Sequence, residues 1–167
     1  MIEKSTCDYV QELVKNGVIA FVPSGNSMWP TLKHKGQSVI VKLKTEKLKP
    51  MDVALYRRED GTSVLHRVMR ATDFGYIMCG DSQFTPENVN EDCVIGVMIG
   101  FYSGKRYVEA DDPDYTEQVK KWYGNEKRRE FRVKTFFFFE RLKSLPARAW
   151  CKLFGQKRKD EGEINDD

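Results

Sequence analysis

DVALYRR (52–58) and SVLHRVMR (63–70) are two apolar runs separated by the turn signal EDG (59–61). Their Val, Leu and Tyr residues recur at a period of two, the spacing of a strand rather than a helix. The same pattern extends outward through SVIVKL (38–43), YIMC (76–79) and CVIGVMIGFY (93–102), punctuated by KHKG (33–36), KLKP (47–50), DFG (73–75) and GDS (80–82). Short strands with a turn signal every ten or so residues predict a mainly β, antiparallel, barrel-like structure. Ahead of it, TCDYVQELVK (6–15) places Tyr9, Val10, Leu13 and Val14 at helical spacing, with Ser5 or Thr6 to cap the start and Gly17 beyond the end. Behind it the period becomes helical over DYTEQVKKWYG (114–124), REFRVKTFFFFERLKSL (129–145) and PARAWCKLF (146–154), the last with Pro146 in its first turn. The expected organisation is a body over 1–110, a basic, aromatic-rich helical extension over 111–155 and an acidic, disordered tail over 156–167.

The 167 residues are 40% hydrophobic and 32% charged, enough to build one core and too apolar for wholesale disorder. The net charge of +3 conceals an uneven distribution. Residues 126–159 hold 12 Lys/Arg against 3 Asp/Glu, residues 160–167 hold five acids and no base, and residues 1–125 are nearly neutral. Cys7, Cys79, Cys93 and Cys151 have no C-x-x-C spacing, which argues against zinc, and no metal or other cofactor is expected. Met1–Lys15 is charged and polar, unlike a secretory signal, and no stretch approaches the ~20 apolar residues that span a bilayer. The expectation is a protein with reduced thiols in the cytoplasm or peripheral to the cytoplasmic membrane.

The chemistry concentrates in VPSGNSMWPTL (22–32). Pro23 and Ser24-Gly25 break the strand that begins near Ile19 and set Ser27 at the tip of a bend. A serine there can be aimed at a scissile carbonyl, with the amides of Asn26 and Ser27 facing the developing oxyanion. Ser24, Gly25 and Met28 flank it as the expected substrate contacts. The same residues also suit an ordinary β-turn with a solvent-facing serine. A hydroxyl needs a base, and the chain has two histidines. His34 lies in the lysine-rich KHKG turn. His66 lies within a strand on the face of Val64 and Val68, and its ordinary pKa near 6.5 suits a general base. A lone strand histidine is equally an ordinary packed residue. For the acid that would orient the imidazole, Asp81 in the Gly80-Asp81-Ser82 turn is the choice; Glu87 and Asp92 follow on the same connection and remain alternatives.

SGNSMWPTL (24–32) resembles the nucleophile box of the signal peptidase I and LexA-like serine peptidase superfamily. Further resemblances follow in the family's order: KPMDVALY (49–56) to its Gly-Asp-hydrophobic strand, LHRV (65–68) to the strand of the general base, GDS (80–82) to its Gly-Asp-Asn box, and VIGVMIG (94–100) to its closing strand. The resemblance covers residues 19–102. It implies a mostly β catalytic core and metal-free endoproteolytic cleavage of an extended peptide or preprotein leader, usually after small side chains. Ser27 is then the nucleophile. His66 stands where bacterial members carry a lysine base, as in the histidine-type archaeal and endoplasmic-reticulum signal peptidases, in which an aspartate completes the triad. Gly36-Gln37 departs from the family's Gly-Asp. Alternatives on the same fold are a non-catalytic peptide-binding module and a self-cleaving regulator.

Residues 129–154 mix four consecutive phenylalanines with Lys and Arg, and are read either as a peripheral membrane contact or as aromatics packed back on the protein. No nucleic-acid partner is expected, since no known reader module accompanies the basic charge.

Overall fold

The computed structural model describes residues 6–33 and 36–143. His34, the helix expected over 146–154 and the tail expected over 156–167 lie outside the described residues. The chain divides into two compact units, Met1–Gly124 and Asn125–Asp167.

The first unit is a mainly β, antiparallel structure with helices at its periphery. Its strands are β1 (Val18–Phe21), β2 (Gln37–Leu43), β3 (Val53–Arg57), β4 (Ser63–Ala71), β5 (Gly75–Cys79), β6 (Glu87–Asn90), β7 (Val94–Ser103) and β8 (Arg106–Glu109). They pair in the order β1-β2-β7-β3-β4-β5-β6, with β8 added to β7. The order has ends at β1 and β6, so the sheet is not closed, and the barrel-like part of the expectation goes beyond this pairing.

Strand β3 is covered on both faces. Val53 and Leu55 join Leu13, Ile19, Val41, Leu65 and Met98 in one apolar cluster, while Ala54 and Tyr56 join Leu48, Val68, Tyr76 and Met78 in another. Both faces are therefore covered, and the hydrophobic stabilisation of roughly 1.5–3 kcal/mol per large side chain acts on each side. The strand runs antiparallel to β4 with Ala54 opposite His66 and Tyr56 opposite Val64.

Helix α1 (Thr6–Asn16) ends at Gly17, whose φ of 74° is the left-handed turn expected there. It docks through Leu13, which is fully buried, and Tyr9, whose ring meets Phe21 at 5.4 Å. Val14, expected in the same stripe, is 61% exposed, so the contact is a narrow i,i+4 line. That line requires Gly96: a Cβ there would lie 2.6 Å from Val41 Cγ1 and 2.9 Å from Leu13 Cδ2.

Helix α2 (Pro113–Tyr123) starts at the Asp112 cap, which accepts from the Asp114 and Tyr115 amides, and buries Tyr115, Val119 and Trp122. It belongs to the first unit, which thus continues beyond residue 110. In the second unit, α3 (Glu126–Lys143) begins three residues before the expected start, because the Asn125 side chain accepts from the Arg128 amide. No helix among the described residues is long and apolar enough to cross a membrane.

Candidate active site

The segment after β1 leaves the sheet and turns at Gly25, whose φ of 80° suits glycine. The Trp29 amide donates to Asn26 O (3.0 Å) and the Leu32 amide to Met28 O (2.9 Å). Met28 and Leu32 are buried beneath the turn while Ser27 stays half-exposed. The 80–82 turn holds this bend from behind. Ser82 donates its amide to Ser27 O (2.8 Å) and directs its hydroxyl at Asn26 O (2.8 Å) and Ser27 O (3.1 Å). Gly80 permits the approach, since a Cβ there would lie 2.8 Å from Ser27 O. The carbonyls of Asn26 and Ser27 are thus committed, whereas their amides have no acceptor among the described residues.

Ser24, Gly25, Ser27, Met28 and His66 line one cavity of about 310 Å3. Tyr9, Phe21 and Leu55 add apolar wall, and Arg58, Ser63 and Gln83 add polar groups. The bend and the strand histidine, 39 positions apart in the chain, thus meet at one concavity.

The carboxylate at the imidazole is Glu87, at 2.9 Å from His66 Nδ1. Asp81, the acid chosen from sequence, takes Arg67 as its hydrogen-bonded partner and reaches His66 only through its charge, while Asp92 lies exposed in the 3-10 turn Glu91–Cys93. The reason is strand alternation. Arg67 follows His66 on β4, so the two side chains leave on opposite faces. The Arg67 guanidinium takes Asp81 as a bidentate partner, Nε to Oδ1 at 2.8 Å and Nη2 to Oδ2 at 2.7 Å, with both side chains almost wholly buried. Thr31 and Tyr123 donate their hydroxyls to the same carboxylate, the latter at 2.6 Å, and Trp122 Nε1 donates to Asp81 O at 2.9 Å. Arg67 also donates to Met51 O (2.8 Å) and Tyr115 OH (3.2 Å). Asp81 therefore ties the 22–32 bend, β4 and α2 together.

Two residues missed from sequence complete the surroundings of Glu87. Tyr56 donates its hydroxyl to Glu87 Oε1, and that hydroxyl lies 3.0 Å from His66 Nδ1. Arg58 grips the carboxylate through Nε (2.9 Å) and Nη2 (2.8 Å). Burial opposes ionisation of Glu87, but the hydrogen bonds from Arg58 and Tyr56 outweigh it and bring the carboxyl down to about 2. Burial, followed by the hydrogen bond to Glu87, raises the Tyr56 phenol well above its ordinary range. Burial lowers the His66 pKa, and the hydrogen bond and charge of Glu87 only partly oppose it.

These facts fix a tautomer. An ionised carboxylate only accepts, so the Nδ1 facing it carries the hydrogen, and the neutral ring keeps its lone pair on Nε2. The neutral ring can accept a proton at Nε2 and hold the resulting imidazolium against Glu87. A usable signal was present in DVALYRR: Tyr56 shares a strand face with Ala54, the residue opposite His66. Comparison of the chain with models of known protein families and with curated proteins gives no match.

Proposed function

We propose that this chain is a serine endopeptidase on the LexA/signal-peptidase catalytic fold that its sequence resembles, acting on an extended peptide or leader segment. Ser27 is the nucleophile, His66 the general base and Glu87 the group that orients and stabilises the imidazole. The observation that supports the reading is the Glu87 hydrogen bond to His66 Nδ1, which leaves the lone pair on Nε2 of a residue that lines the same cavity as Ser27.

In the proposed reaction Ser27 Oγ attacks the scissile carbonyl carbon while its proton passes to His66 Nε2. The carbonyl oxygen becomes an oxyanion facing the amides of Asn26 and Ser27. Collapse returns the proton to the leaving amine and breaks the C–N bond, giving an acyl-serine. Water, deprotonated by the same imidazole, then releases the carboxylate product and restores Ser27. Glu87 stays ionised throughout.

Ser27→Ala, with thermal unfolding unchanged, and His66→Ala, with the chain still folded though less stable because a buried ring is removed, are each expected to cut peptide cleavage by at least about a thousandfold. Near-normal cleavage in either variant refutes the mechanism. Failure of a serine-directed phosphonylating probe to label Ser27 in the wild-type chain would favour a peptide-binding module instead.

A further inference from the structure

Helix α3 carries a partly buried stripe of mixed character and an exposed, mainly apolar one on opposite sides. Arg129, Val133, Phe136 and Glu140 recur at i, i+4, i+7 and i+11, and of these Arg129 and Val133 are buried and Phe136 and Glu140 half-buried. Phe131, Thr135, Phe138 and Leu142 repeat the same spacing half a turn away. Here Phe131 is 71% exposed and Phe138 60%, with Phe139 beside them at 54%. Thr135 satisfies its hydroxyl within the helix, donating to Phe131 O at 2.8 Å. Lys127, Lys134 and Arg141 run alongside at i, i+7 and i+14, with Arg128 on the other flank. Over the whole helix seven Lys/Arg face three Glu.

We infer that this outer face of α3 is a docking surface for an anionic lipid bilayer, with Phe131 and Phe138 entering the boundary between headgroups and acyl chains. Phenyl rings bordered by rows of cations match that boundary, where apolar burial and attraction to acidic headgroups act together. The ion pair of Lys134 with Glu130 is exposed at the surface and contributes little, so it does not withhold the lysine from headgroups. A second copy of this chain is disfavoured as the occupant, since it would bring the same positive helix against itself.

The test is co-sedimentation of the full chain with vesicles of phosphatidylcholine alone and of phosphatidylcholine with phosphatidylserine. Binding to the acidic vesicles is expected to exceed binding to the neutral ones by more than about tenfold and to fall as salt is raised. Phe131→Ser with Phe138→Ser, and separately Lys127→Glu with Lys134→Glu, should each reduce it by more than about tenfold while circular dichroism stays unchanged. Equal binding to both vesicles, or wild-type binding by both double variants, overturns the inference. So does lipid-independent self-association that the phenylalanine substitutions abolish, which would make the face a protein interface. None of these results depends on cleavage by Ser27.

Discussion

Replacing Glu87 by Gln keeps the size of the side chain and removes its charge. The lost element is a charge-assisted hydrogen bond to His66 Nδ1 at 2.9 Å, a type contributing roughly 1.5–3 kcal/mol. If it acts wholly on the imidazolium of the transition state, kcat falls roughly ten- to 150-fold, at 1.36 kcal/mol per factor of ten. The pH profile moves in a direction that identifies the cause. Glu87 raises the His66 pKa against the larger lowering from burial, so its removal moves the acid limb of kcat/KM to lower pH while the plateau drops. The assay is peptide cleavage across the acid range, paired with NMR titration of the imidazole, which needs no activity. An acid limb that stays put or moves to higher pH in Glu87→Gln, or an undiminished plateau, refutes the assignment of Glu87.

Asp81 behaves differently because its partner is Arg67. Asp81→Ala strands a buried guanidinium and is expected to cost about 3–5 kcal/mol in chemical denaturation, whereas Arg67→Met with Asp81→Leu recovers much of that loss; a mild single variant would contradict the buried pair. Gly80→Ala forces a methyl to within 2.8 Å of Ser27 O, and should cost about 1–3 kcal/mol while lowering kcat more than the equivalent destabilisation elsewhere; unaltered kinetics would show that the turn does not set Ser27. Acid should weaken the fold through Glu87: its pKa is depressed from 4.5 to about 2, so its contribution is complete above about 4.5 and is lost as pH falls toward 2. Equilibrium unfolding should show this loss in the wild type and less of it in Glu87→Gln.

The central strands were legible because β3 and β4 carry enough Val, Leu and Tyr to fix a period of two. Strands β6, ENVN, and β8, RYVE, were not, since each has few apolar residues and lies at the periphery of the sheet. The bend carrying Ser27 and the strand histidine could be read as chemistry, but which acid serves the imidazole could not. That choice depends on the arginine next door: residue 67 claims Asp81 on the opposite face, and only the pairing of β5 with β6 brings Glu87 round to Tyr56 and His66. Pattern reading also missed the Asn125 cap, whose effect is local and does not follow the apolar period.

The attachment of α2 bears on how short a working fragment could be made. A polypeptide ending at Ala110 would keep every strand yet lack the phenol of Tyr123 and the indole of Trp122 that hold Asp81. The buried carboxylate would then face solvent along the side α2 had covered. A fragment that keeps this carboxylate covered therefore extends to Gly124, the end of the first compact unit.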